Sequence, residues 1–201
     1  MSGALVAGLV AGFGIAIPVG AVGTYLMALT ARTSLRTGAA AALGVATADG
    51  LYALISTLGG AVLVPVIQPI TEPLRWVSAA VLTALALRGA VKAVRDHGRP
   101  QEAGTGELTG PGRAYVALLG ITLVNPMTLI YFTALVLGGP TATDGPVFVL
   151  AAFAASASWQ LLLAGGGALL GRALSGPRGR LATALVSSAV IVGLAVGLLK
   201  G

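Results

Sequence analysis

The sequence predicts an all-α membrane protein of six transmembrane helices, arranged as two inverted three-helix repeats. Three observations predict this class. Of 201 residues, 56% are hydrophobic and only 9% charged, with a mean hydropathy of +0.95, whereas a soluble domain carries roughly 25% charged residues. Charge-free stretches recur at the length of a bilayer crossing, about 20 residues. The basic residues fall on alternate connections between those stretches.

The stretches follow one another along the chain. Met1 to Ala31 is the first. It has no basic segment ahead of its apolar run, and its first positive charge, Arg32, comes after that run, so it reads as a retained helix rather than a cleaved signal peptide. Thr37 to Thr71 is the second, broken only by Asp49. Trp76 to Leu87 is short, but Arg88, Lys92 and Arg95 can snorkel to one interface, which makes it the third. Ala114 to Thr143, Gly145 to Gly171 and Leu181 to Leu199 complete the six.

Arg32 to Arg36 reads as a turn, and the proline-bearing segments Pro65 to Pro73 and Pro140 to Pro146 read as loops. Residues 96–113 form a solvated linker rich in charge and glycine. The chain is therefore expected to be one membrane domain over 1–201, with repeat one at 1–95, a cytoplasmic linker at 96–113 and repeat two at 114–201.

Lys and Arg set orientation. Arg32, Arg36, Arg88, Lys92, Arg95, Arg99, Arg113, Arg172, Arg178 and Arg180 fall on one side, and Arg75 and Lys200 on the other. The crowded side is the cytoplasm, so both termini are expected outside and the long middle loop inside. The net charge of +6 thus reflects topology and the lipid bilayer rather than nucleic-acid binding.

Two features support an inverted repeat. A shift that lays Gly12 to Pro18 over Gly120 to Pro126 places a proline near the middle of the first helix of each half. Three helices per half also force the second half to enter the membrane from the opposite side, and substrate sites in such proteins lie at the repeat interface among interrupted helices.

The candidate site residues follow from those interruptions. Pro18 lacks an N–H and clashes with the carbonyl of Gly14. A break there frees the carbonyls of Gly14 to Ile17 and the amides of Val19 to Val22, Gly20 among them, offering a cation and an anion separate partners. Asn125-Pro126 pairs a preferred N-cap with a preferred first helical residue, and so starts a helix in mid-membrane, where its open groups need a cavity or protein partners.

Asp49 is the one acid within a span, about 20 Å along its helix from Arg36 at 1.5 Å per residue. Burial at that depth requires a cavity or a partner. No intramembrane cation is available, and Thr47 and Ser56 can offer only hydrogen bonds. Such a carboxyl can carry a proton or hold a substrate ammonium group.

Thr24, Tyr25, Thr122, Thr128, Tyr131, Ser156, Ser158, Trp159 and Gln160 lie near the midplane as further cavity-lining candidates. Gly167 with Gly171, and Gly193 with Gly197, have the spacing of close helix contact and leave a homo-oligomer open. His97 beside Asp96 is a lone loop histidine. The chain has no cysteine, which excludes thiol nucleophiles, iron–sulfur clusters and cysteine zinc sites. No nucleophile with an adjacent base can be assembled, so an enzyme is not expected, nor is a cofactor or resident metal.

At these residues the chain resembles the lysine exporter (LysE/RhtB-type) family of bacterial amino-acid exporters. Pro18-Val19-Gly20-Ala21 looks like the family's first-helix motif. Gly38 through Gly44, Asp49, Gly50 and Tyr52 look like its glycine-rich second helix. Asn125-Pro126-Met127-Thr128-Leu129-Ile130-Tyr131-Phe132 looks like its fourth-helix motif, and Ala151 to Trp159 with Gly165 to Gly171 resembles its fifth helix. The chain has Tyr131 where exporters of basic amino acids tend to carry an acid, and Val22-Gly23 where they tend to carry glutamine-asparagine.

The resemblance implies a secondary transporter in the bacterial inner membrane that exports an amino acid or similar small zwitterion. With the residue reading it points to proton antiport, with Asp49, Pro18, Gly20, Asn125, Pro126 and Tyr131 in the substrate-binding or proton-coupling site. A metal-cation exporter and a non-transporting membrane interaction protein are the alternatives. The first would have one intramembrane carboxylate and no intramembrane histidine or cysteine for its cargo.

Overall fold

The structure is a computed structural model and describes residues 2–95, 110–125, 128, 131–132, 145–173 and 177–200. Its regular elements are helices. The first apolar stretch forms α1 (Ser2–Ala16) and α2 (Ala21–Arg32), two halves of one span bent by 74° at residues 17–20. Thr33 and Ser34 make the turn into α3 (Leu35–Arg95). Then come α4 (Pro111–Leu123), α5 (Gly145–Ala173) and α6 (Pro177–Lys200).

α3 is two limbs joined at Gly59, whose φ of −158° and ψ of 22° leave the helical region. Leu35–Gly59 and Glu72–Arg95 are each long and apolar enough to cross a membrane, as is α5. Among the described residues that gives three crossings, or four with the broken α1–α2 span. Leu181–Gly197 within α6 is a shorter apolar helix. The remainder of the expected fourth span, 133–143, lies outside the described residues, as do Asp96, His97 and most of the linker.

Two local expectations are corrected. Pro65 to Pro73 is helical backbone within α3, and the interruption falls at Gly59 instead. Proline's fixed φ near −65° is itself helical, so prolines in series can be carried by a helix whose bend is taken elsewhere. Helix α4 begins at Pro111, inside the segment read as linker, because proline at a first helical position sacrifices only an amide that would be unpaired anyway. The interruption expected at Pro18 is present and divides the first stretch into α1 and α2.

The core is rich in alanine. One cluster gathers Tyr25, Leu26, Leu29, Val45, Leu82, Leu118 and Ile191 with alanines between them, and a second joins Ala11, Tyr52, Ala53, Phe132, Phe148 and Ala152. Between apolar helices in lipid, burial from water supplies no drive, so association rests on close backbone approach at small residues. A Cβ on Gly8 would strike the Phe148 carbonyl, and one on Gly12 would lie 2.5 Å from the Ala152 carbonyl. Gly167 sits against the Met27 carbonyl in the same way, Gly171 against that of Ala31, and Gly44 of α3 against that of Tyr115 in α4.

These approaches fix a register. The pairs Gly8–Phe148, Gly12–Ala152, Gly23–Leu163, Met27–Gly167 and Ala31–Gly171 are all separated by the same interval in sequence. Both α1 and α2 therefore run in the same sense as α5, with the same sequence interval on either side of the bend. Gly167 and Gly171 thus serve a contact within the chain, while Gly193 and Gly197 border open space.

Candidate functional site

Asp49 lies on the first limb of α3, 4% exposed. Ser156 of α5, fully buried, donates its hydroxyl hydrogen to Asp49 Oδ2 at 2.6 Å. The carboxyl thus has the partner that its depth demands. The sequence places Ser156 near the midplane but does not pair it with Asp49. Thr47, one of the two hydroxyls near it in sequence, is engaged elsewhere: its Oγ1 donates to the Leu43 carbonyl at 2.7 Å and accepts from the Tyr115 hydroxyl at 3.1 Å. Gly50 gives α5 room beside this pair, since a Cβ there would approach Phe153 at 3.2 Å.

The first break is built by Pro18. The last backbone bond of α1 runs from the Ile17 amide to the Phe13 carbonyl at 2.8 Å, and the first of α2 runs from the Thr24 amide to the Gly20 carbonyl at 3.0 Å. Gly20 is the N-cap residue and offers no side-chain cap, so the amides of Ala21, Val22 and Gly23 have no partner within the helix. Ala21 and Val22 fall within the expected set of free amides, Val19 to Val22, and Gly23 extends it by one. The break itself is exposed, Pro18 and Gly20 included.

The second break ends α4. The Asn125 amide bonds the Thr122 carbonyl at 3.0 Å, a tightened final turn. Beyond it two side chains from α3 close the open carbonyls. Tyr52 donates its hydroxyl to the Leu123 carbonyl at 2.5 Å, with the Asn125 carbonyl at 3.5 Å, and Ser78 donates to the Val124 carbonyl at 3.0 Å. A helix end without water needs such donors. Ser78, Val81, Gly120, Ile121 and Val124 line a groove of about 240 Å³ at this break.

The register relates the buried carboxyl to both breaks. On α5, Ser156 lies between Ala152, which meets Gly12 of α1, and Leu163, which meets Gly23 of α2. Tyr52 stands one helical turn beyond Asp49 and holds the end of α4. Asp49 is thus tied through Ser156 to α5, which packs along α1 and α2, and through its own helix to the second break. Asp49 is not among the residues that line the groove at the second break. Tyr131 is 53% exposed and Asn125 half-buried, while Pro126 lies outside the described residues.

A family model of LysE type translocators matches residues 13–201, which span Asp49 and both breaks. The chain belongs to the LysE type translocator family. No curated protein and no solved structure matches it. Membership makes this translocator a multi-pass membrane transporter rather than an enzyme, in keeping with its apolar helices.

Proposed function

We propose that this LysE-type translocator exports an amino acid or similar small zwitterion by proton antiport, through alternating movement of two three-helix halves. One observation carries the reading: a buried acid, held by a hydroxyl rather than a cation, is bonded to the helix that packs along the first broken pair and stands one turn from the tyrosine that closes the second break. Open helix ends supply amides for a carboxylate and carbonyls for an ammonium group.

In this reading Asp49 alternates between two occupants. As a carboxylate facing the cytoplasm it pairs with the substrate ammonium. Facing outward it takes a proton, the substrate leaves, and the neutral carboxyl returns to release that proton inside. The Ser156 hydroxyl donates to the carboxylate and can rotate to accept from the protonated form. The ten basic residues assigned to one side support a cytoplasmic loop at 96–113 and both termini outside the inner membrane.

Counterflow in proteoliposomes across a panel of amino acids tests the reading. Uptake of at least one labelled amino acid, driven by the same unlabelled solute inside, is expected. Uptake of none of them would refute it.

A further inference from the structure

The groove at the second break opens outward between the second limb of α3 and α4. Ser78, Val81, Gly120, Ile121 and Val124 line its volume of about 240 Å³, and Val81 and Gly120 are exposed. A Cβ on Gly120 would meet nothing within 4 Å. Exposed valines extend both walls, Val77 one turn before Val81 and Val116 one turn before Gly120. The Ser78 hydroxyl is spent on the Val124 carbonyl at 3.0 Å, so the lining presents little but carbon. A bound water needs about 2–4 polar partners, whereas a hydrocarbon chain needs none.

Cations stand beyond one end of the groove on both of its helices. Limb two and α4 are antiparallel here, because Ser78 meets Val124 while Val81 shares the groove with Gly120 and Ile121. The C-terminal end of the limb and the N-terminal end of α4 therefore lie at the same end of the groove. Arg88 follows Val81 by seven residues, and Arg113 precedes Gly120 by seven. Seven residues are close to two helical turns, about 10 Å, so each arginine stands on the face of its helix that carries the groove residue. Lys92 is one turn beyond Arg88, and all three are exposed. Arg32 of α2 joins them, since a Cβ on Gly89 would lie 2.5 Å from its Nη1.

We propose that groove and rim together bind one anionic phospholipid, an acyl chain lying in the groove and the phosphate resting against Lys92 and Arg113. Arginine forks onto phosphate oxygens, and basic pockets between membrane helices hold lipid headgroups. A lipid of net negative charge meets the whole cluster, whereas phosphatidylcholine brings a quaternary ammonium that cancels the attraction. The bound chain lies against limb two and α4 alike, where Ser78 closes the second break, so the lipid holds those two helices together. The inference stands whatever solute the translocator carries.

Native mass spectrometry of the purified, delipidated protein tests it, with phosphatidylglycerol, phosphatidylcholine of the same acyl chains, and glycerol phosphate as probes. The first phosphatidylglycerol is expected to bind roughly tenfold more tightly than the first phosphatidylcholine, and glycerol phosphate at equal concentration is expected not to displace it. Lys92→Gln and Arg113→Gln are each expected to weaken phosphatidylglycerol about fivefold and to leave phosphatidylcholine unchanged. Gly120→Leu fills the groove and is expected to weaken both lipids without lowering the melting temperature of the lipid-free protein. If Gly120→Leu fails to fold, the two charge variants decide.

Equal affinity for the two lipids, or phosphatidylglycerol binding unchanged in the charge variants or in a folded Gly120→Leu, would overturn the proposal. Displacement by glycerol phosphate would also overturn it, by showing an anion site without the groove. A dimer that Gly120→Leu converts to a monomer would assign the groove to a second copy of the chain and overturn it as well.

Discussion

The Ser156 hydroxyl lies 2.6 Å from Asp49 Oδ2, joining helices 107 residues apart in sequence. This bond ties the first limb of α3 to α5, and α5 in turn holds the broken α1–α2 span in register.

Ser156→Ala leaves a buried carboxyl without its donor. A hydrogen bond to a charged group contributes about 1.5–3 kcal/mol, so the variant is expected to unfold at a lower temperature in detergent and to transport more slowly. Asp49→Asn keeps an acceptor for Ser156 and is expected to fold like the parent. Fluorescence-detected gel filtration after heating measures both.

Tyr52→Phe removes the hydroxyl that closes the Leu123 carbonyl, and Ser78→Ala removes the one on Val124. Each strands a carbonyl in a dry environment, at about 1–3 kcal/mol. Because the two donors serve adjacent carbonyls of one helix end, the double variant is expected to depart from additivity. A double-mutant cycle on thermal stability checks this, and strictly additive losses would separate the two caps.

Gly12→Val drives a side chain into the Ala152 carbonyl, whereas a Cβ on Gly14, two residues on, meets nothing within 4 Å. Gly12→Val is expected to push α1 off α5 and lower stability sharply. Gly14→Ala is expected to be neutral or mildly stabilising, since alanine favours a helix over glycine by about 1 kcal/mol. Equal losses in both would show that α1 does not lie on α5 in this register.

The chain has no native cysteine, so single cysteines report topology directly. A cysteine at Gly104 is expected to be labelled by a membrane-impermeant maleimide only after the cells are opened, and one at Gly3 in intact cells. The reverse pattern would invert the assigned orientation.

How much of this was legible in the sequence follows from range. Pro18 and Asn125-Pro126 act on their own helices, so both interruptions could be read locally, and helices stop at Ala16 and Leu123. Asp49 stood out because an acid in a span is costly. Its partner did not, since the sequence holds many serines and only the fold brings one of them to it. Tyr52 and Ser78 close carbonyls 71 and 46 positions away, a pairing that no local pattern encodes. Pro65 to Pro73 misled for the opposite reason: proline marks a possible bend, but neighbouring Gly59 took it.

The central claim is that Asp49 couples proton movement to export, and proton flux driven by substrate tests it most directly. Proteoliposomes carrying a trapped pH-sensitive dye and loaded with a transported amino acid should show proton entry as that solute leaves through the parent protein, and none through Asp49→Asn. Equal proton entry through the two proteins would contradict the account.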